Sequence, residues 1–328
     1  MPIWTQGSNI DKGKEKMSDV IVAPLAGREA KPHSFFVDLM IRLVKEKPLG
    51  TVGGIIVLIF LLVGIFANFL APYGFNQTFV FPRLNPPSAG CILGADNLGR
   101  DLLSRVIYGA RVSMYVGLGA ASISMVLGTI IGMVSGFFGG KTDLILQRFV
   151  DAFMCIPALF LILTIMAIVG PGMWQVVIVL GLLGSIGSSR VIRGAVMGIK
   201  MNIYVEAARS IGCPTWRILV RHILPNVMAP IIVLFTVGMG AAIIAEASIS
   251  FLGYGIPAPE PSWGGMLGES GRKYLLLAPW LALWSGLALA IVVYSINMLG
   301  DALRDLLDPR LRGGLGRYGA AKRKLPKV

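Results

Sequence analysis

Two strings in the chain approach phosphate-binding chemistry, and neither completes it. Ser135-Gly136-Phe137-Phe138-Gly139-Gly140-Lys141-Thr142 ends like a P-loop, but it lacks the leading Gly and follows an apolar helix rather than a strand. Gly314, Gly316 and Gly319 spell G-x-G-x-x-G in a basic tail with no strand before it. Both read as chance matches. The two histidines, His33 and His222, are far apart, and no His/Asp/Glu cluster has metal-ligand spacing. Cys91, Cys155 and Cys213 are not placed for a disulfide or a metal site. An enzyme active in its own right is therefore not expected.

The segment 200–226 carries a different kind of chemistry, that of a protein contact. Residues 202–211 suit a short helix, Gly212 suits its C-terminal cap, and Pro214 suits the first turn of a second helix ending by Pro225. Ala207 and Ala208 leave a narrow face able to enter a groove on a partner. Glu206, Arg209, Arg217 and Arg221 supply charge for its rim. A rigid protrusion of this kind can pass a push from a soluble partner to whatever anchors it.

The anchoring elements are set by composition and charge placement. The 328 residues include 30 Lys+Arg and 17 Asp+Glu, a net charge of +13, yet only 14% are charged and 55% are hydrophobic. Soluble proteins carry about 25% charged residues. Residues 48–82, 112–140, 152–189, 222–245 and 274–300 contain no Asp, Glu, Lys or Arg. A membrane-crossing helix needs roughly 20 mostly apolar residues. The stretch 152–189 is long enough for two crossings, divided at Gly170-Pro171-Gly172. Six spans are expected, near 49–70, 113–137, 152–169, 173–189, 226–249 and 278–300. The runs show no alternation, so helices are preferred to a barrel. The expected fold is all-α, a polytopic membrane helix bundle with six transmembrane helices.

Alternate loops divide the cations unequally: 24 of the 30 Lys+Arg share a side with both termini and 6 face the other. By the positive-inside rule both termini are expected to be cytoplasmic. Cations spread in this way do not make the single basic surface of a nucleic-acid binder. The first apolar run is not expected to be a cleaved signal peptide, because 48 residues precede it. Phe35, Phe36, Leu39, Met40, Leu43 and Val44, beside Arg42, Lys45 and Lys47, suggest an interfacial helix along the cytoplasmic face. The organisation read from these features is 1–48, a cytoplasmic tail with that helix; 49–312, the six-span domain; and 313–328, a basic cytoplasmic tail. Within the domain, 71–112 is the extracytoplasmic segment and 200–226 the cytoplasmic loop.

That loop resembles the E-A-A-x-x-x-G-x₉-I-x-L-P segment of binding-protein-dependent ABC importer permeases, with Glu206, Ala207, Ala208, Gly212, Leu224 and Pro225 at matching spacing. His222 stands where the general pattern has Ile. Leu93-Gly94-Ala95-Asp96-Asn97-Leu98-Gly99-Arg100-Asp101-Leu102-Leu103-Ser104-Arg105, followed by Gly109-Ala110-Arg111-Val112-Ser113, is similar to the signature of the dipeptide/oligopeptide/nickel group, C-type subunit, with Ala95 for the usual Thr. So are Gly139-Gly140-x-x-Asp143 with Arg148 and Asp151, Ser250-Phe-Leu-Gly253-Tyr-Gly255 with Pro261-Ser262-Trp263-Gly264, and Gly300-Asp301-x-Leu303-Arg304-Asp305-x-x-Asp308-Pro309-Arg310.

The resemblance implies a permease subunit in the inner membrane of a prokaryote, moving di/oligopeptides inward by alternating access. It implies a homologous second permease, two ATPase subunits that hold ATP and Mg, and an extracytoplasmic solute-binding protein; the chain itself would hold no cofactor. Loop 200–226 would dock on an ATPase. The runner-up readings are an ion-gradient-driven secondary transporter, a passive channel or scaffold, and an importer of the same family for nickel or glutathione.

Asp96/Arg100 and Asp101/Arg105 are spaced as i,i+4 helical pairs. They are expected to form either a solvated or a partner-facing surface. With Pro261 and Trp263 of the outer loop they make a candidate docking or gate region. Ser185, Ser189, Ser295 and Asn297 are the candidate polar lining of the path. Glu246 is expected as an interfacial or helix-packing carboxylate near the outer headgroups rather than a pathway group.

Overall fold

The computed structural model describes residues 35–307, which fold as helices joined by short links and two longer irregular segments. In chain order these are α1 (Phe35–Glu46), α2 (Pro48–Ile65), α3 (Ala67–Leu70), α4 (Leu102–Phe138), α5 (Gly140–Met154), α6 (Ala158–Val169), α7 (Met173–Lys200), α8 (Ile203–Ser210), α9 (Thr215–Phe251), α10 (Trp263–Met266) and α11 (Trp280–Leu307). Among the described residues there is no strand, only isolated bridges at Ser88–Cys91 and Ala95–Asp101. Residues 1–34 of the expected N-terminal tail and all of the tail 313–328 lie outside the described residues, as do Asp308, Pro309 and Arg310.

Five helices, α2, α4, α7, α9 and α11, are long and apolar enough to cross a membrane, and the bent pair α5 and α6 makes a sixth crossing if taken together. The all-helical membrane bundle is as expected; the third crossing is not the continuous helix 152–169. The chain breaks at Cys155-Ile156-Pro157 and the two pieces meet at 88°. Pro157 supplies no N–H, and its ring would strike the carbonyl four residues back, so α5 cannot run through it. Beyond the break, α6 has 12 residues and spans about 18 Å. The first expected span also ends early, at Ile65. There the Arg111 guanidinium donates to the carbonyls of Gly64 at 2.8 Å and Ile65 at 3.3 Å, closing the helix from the side. The expected outer segment 71–112 is irregular only over 71–101, because α4 already begins at Leu102.

Close backbone approach organises the bundle. α4 and α7 share the most extensive contact among the described helices. Gly128, Gly132 and Gly136 stand four residues apart on the α4 face that meets α7. A Cβ added at Gly132 would lie 2.7 Å from the Ser189 carbonyl oxygen, and one at Gly136 would lie 2.9 Å from that of Arg193. In lipid, helices gain little by hiding apolar surface from one another, so small residues that let backbones touch drive the association. α2 repeats the device: its buried residues are Gly50, Gly53 and Gly64, while Val52, Ile55, Leu58, Ile59 and Leu62 face outward. α2 rests on α11 through Gly53, where an added Cβ would sit 2.6 Å from the Ser295 carbonyl.

Overpacking by side chains costs about 1–3 kcal/mol, and here backbone stands in the way. Gly132→Leu is therefore expected to lower the thermal stability of the purified subunit clearly. Gly194→Leu, on the same pair of helices where an added Cβ meets nothing within 4 Å, is expected to leave it unchanged. Equal melting temperatures for the two variants would refute the seam.

Candidate functional site

α8 is fixed at both ends by its own backbone. Asn202 has extended dihedrals, and its carbonyl accepts from Val205 N at 2.9 Å, which starts the helix. At the other end Gly212 takes φ +78°, a left-handed conformation that costs a residue with a Cβ. Gly212 N then donates to Arg209 O at 3.0 Å and Cys213 N to Ala208 O at 3.0 Å, the paired bonds of a Schellman cap. This is the helix and cap that the sequence predicts.

The two faces of α8 are distributed differently from expectation. Val205 and Ala208 are buried in a cluster with Phe137, Ile192, Val196, Ile218, Ile223 and Val227. Ala208 therefore packs against its own bundle, and the narrow alanine face reduces to Ala207. Glu206, Ala207 and Gly212 are exposed, together with Ile203, Trp216 and Ile211, the last 84% exposed. Arg209 and Lys200 bracket the Phe137 ring at 5.6 Å and 5.7 Å, and Lys200 Nζ donates to the Phe137 carbonyl at 2.5 Å.

The second helix of the loop does not end by Pro225. It continues through a π-helical stretch, Ile218–Ile223, into the span that ends at Phe251. The wider turn takes up the missing donor and the bulk of Pro225, and Asn226 Nδ2 donates to the His222 carbonyl at 2.6 Å. Leu224 is half-buried and Pro225 exposed at the head of the α-helical part of this span.

At the opposite end of the bundle, Asp96, Arg100, Asp101, Arg105, Pro261 and Trp263 are all buried. That contradicts the reading of these side chains as a solvated or partner-facing surface. Nor are they helical pairs. Asp96 sits in a turn where Oδ1 accepts from Leu98 N at 2.8 Å and Arg100 N at 3.0 Å, and Oδ2 accepts from Arg100 Nε at 2.6 Å. Arg105 pairs with Asp96, 3.7 Å away, rather than with Asp101. Its Nη1 also donates to Phe75 O at 3.1 Å and Pro259 O at 3.4 Å, tying both irregular segments to α4. Asp101 caps α4, accepting from Ser104 N at 2.8 Å and Ser104 Oγ at 2.7 Å. Trp263 fills the space left by Gly109 and donates to Val106 O at 3.1 Å. Cys91 lies buried beside this network, and burial, then the Asp101 charge, push its thiol up from the ordinary value.

The candidate path residues are not brought together in a lining. Ser185, Ser189 and Ser295 are buried at helix contacts, each bonding a carbonyl of its own helix, and Asn297 is exposed on α11. Ser124 and Ser188 instead line a cleft of about 360 Å³ walled by α4, α6, α7 and α9. Glu246 is fully buried, with Oε1 accepting from Ser250 Oγ at 2.7 Å. It is a packing carboxylate inside the protein.

Two features were missed by sequence reasoning. The Gly128/Gly132/Gly136 repeat was legible as a small-residue helix seam. The partners of Asp143 were not, since Arg193 lies fifty positions away in the chain.

Removing Asp96 would leave Arg100 and Arg105 buried without their carboxylate, at a cost on the order of 3–5 kcal/mol. Asp96→Ala is expected to lower the melting temperature and open 71–101 to limited proteolysis. An unchanged digestion pattern would show that the network does not hold the segment.

The family model of the binding-protein-dependent transport system inner membrane component matches residues 128–313, and the N-terminal TM domain of oligopeptide transport permease C matches residues 34–87. The glutathione transport system permease protein GsiD of Pectobacterium atrosepticum is 39% identical over 261 residues, 79% of this chain and 86% of that protein. The dipeptide permease DppC of Alkalihalophilus pseudofirmus is 38% identical over 269 residues, covering 82% and 88%. The oligopeptide permease OppC of Bacillus subtilis is 37% identical over 282 residues, covering 86% and 92%. Among solved structures, a chain of the inward-facing MetNI methionine ABC transporter matches with a TM-score of 0.52 at 18% identity, covering 63% of this chain and 98% of that one.

Proposed function

This chain belongs to the binding-protein-dependent transport system inner membrane components, the permease subunits of ABC importers, and we propose that it carries di- or oligopeptides inward while α8 takes the drive from a separate ATPase. The substrate class rests on the relatives, whose names specify dipeptides, oligopeptides and glutathione. In this reading both termini and α8 face the cytoplasm of a prokaryotic cell and the network around Asp96 faces outward. The assembly contains a second, homologous permease, two ATPase subunits that bind ATP and Mg, and an extracytoplasmic solute-binding protein.

The observation that carries the coupling role is the division of α8 into two faces. Val205 and Ala208 lock it to the ends of α4, α7 and α9, while Glu206, Ala207, Ile211, Gly212 and Trp216 are left outward. A rigid, capped helix with one face bonded to the bundle and an apolar, charge-rimmed tip is suited to fill a cleft and move the bundle with it. Closure of the ATPase dimer on ATP would draw two such helices together, one from each permease, and bias the bundle between inward- and outward-open states. Leu224 and Pro225 act by shaping the π turn beneath α8. The path is assigned to the Ser124/Ser188 cleft, completed by the second permease.

In proteoliposomes holding the full complex, Glu206→Lys and Gly212→Pro are expected to remain in the membrane, retain ATP hydrolysis and lose most peptide uptake. Normal uptake by both variants would overturn the coupling role. Uptake by the intact complex is expected to stop when the ATPase subunits are inactivated and to survive collapse of the ion gradients. The reverse pattern would establish a secondary carrier.

A further inference from the structure

One motif remains without a task in the transport reading: Gly139-Gly140-x-x-Asp143 with Arg148 and Asp151. Gly139 and Gly140 have φ of +65° and +53°, which lets the chain turn sharply out of α4 into α5. α5 has almost no apolar anchor of its own. Val150 alone among its residues is buried, and Leu144, Ile145 and Phe149 point outward. Polar pairs hold it instead.

Asp143 accepts from Arg193 Nε at 2.6 Å and from Arg193 Nη2, and also from Ser135 Oγ. Gln147 Nε2 donates to the same Ser135 Oγ at 3.0 Å. Two turns along α5, Asp151 accepts from Arg190 Nη2, with Arg148 3.8 Å away. Arg190 and Arg193 lie one turn apart on α7, whose last residue, Lys200, is followed by α8. The inner pair is the stronger: it is two-pronged and only 18% and 29% exposed, whereas the Asp151 pair is more open to water. At its far end α5 passes through the 155–157 break into α6, whose Ala158 and Ile162 line the cleft opposite Ser188.

We propose that Asp143–Arg193, reinforced by Asp151–Arg190, are positioning pairs that make α5 travel with α7, so that displacement of α8 is delivered to α6 and to the wall of the cleft. The proposal rests on α8 being the element the ATPase moves.

Spin-label distances in the assembled complex test it without a known substrate. Labels at Phe160 on α6 and at Ile211 beside α8 are each measured against a label on the second permease, before and after trapping with ATP and vanadate. Both distances are expected to shift in the otherwise native complex. In Asp143→Asn/Asp151→Asn, the Ile211 shift is expected to persist and most of the Phe160 shift to be lost. The swap Asp143→Arg/Arg193→Asp is expected to recover the Phe160 shift, and the persistence of the Ile211 shift in the neutralised variant is what a merely stabilising pair would not predict. A full Phe160 shift in the neutralised variant overturns the proposal. If that variant fails to assemble, the swap decides: a recovered shift supports the proposal and a missing one overturns it. A stationary Ile211 label in the native complex overturns the coupling role of α8 itself, a result distinct from the others.

Discussion

The approach of α4 to α7 along Gly128, Gly132 and Gly136 is the contact on which the other features depend. Inside a bilayer there is no water to squeeze out, so two helices hold together only as well as their surfaces fit. Removing side chains from one face brings backbones within contact of Ser188, Ser189 and Arg193. The depth of that approach has consequences at each level. It forms one wall of the cleft beside Ser124 and Ser188, and it sets Arg193 at the end of the seam, within reach of Asp143. A methyl group anywhere along the seam would move all of these together.

At the other end of the bundle order is kept by charge. Residues 71–101 have neither helix nor strand to satisfy their backbone, yet Asp96, Arg100 and Arg105 are nearly inaccessible. Charges can be buried only when paired and hydrogen-bonded. Asp96 meets that condition with two backbone donors and two guanidinium groups, and Arg105 meets it by reaching the carbonyls of both irregular segments. The groups of this end that stand outward are others, among them Phe79, Ile92 and Leu276.

What the sequence discloses depends on whether a local rule or a distant partner decides the matter. The spans are legible because bilayer thickness imposes a length on charge-free runs, and the α8 cap is legible because only Gly fits the position of Gly212 comfortably. The end of the second loop helix is misjudged at Pro225 because a π turn offers the proline another solution, and the third span is misjudged because Pro157 has none. Ser185, Ser189 and Ser295 look like a path on polarity alone. Each hydroxyl bonds the helix behind it, so a buried helix contact accepts them as readily as a pore does. Asp96 and Arg105 resemble a surface until the segments that cover them are known, and those segments lie up to 154 residues away in the chain.

The α8 end can only move as a block. Phe137 of α4, Ile192 and Val196 of α7, Val205 and Ala208 of α8, and Ile218, Ile223 and Val227 of α9 share one close-packed cluster, which resists continuous deformation. Lys200 and Arg209 close over Phe137 from outside. A force on Ile211 or Trp216 is thus divided among three long helices before any of them bends. The chain bends sharply just beyond this cluster. Gly139-Gly140 lets α5 change its angle to α4, and the 155–157 break lets α6 change its angle to α5. With α7 bound to α4 by the seam and to α5 by Asp143, the first joint is held at its angle, and the 155–157 break is left as the bend between the block and the cleft wall. The helix too short to cross the bilayer alone, α6, meets the bundle through the buried side chains Ile162 and Met166, which pack with Val116 of α4, Val176 and Leu180 of α7 and Ile249 of α9.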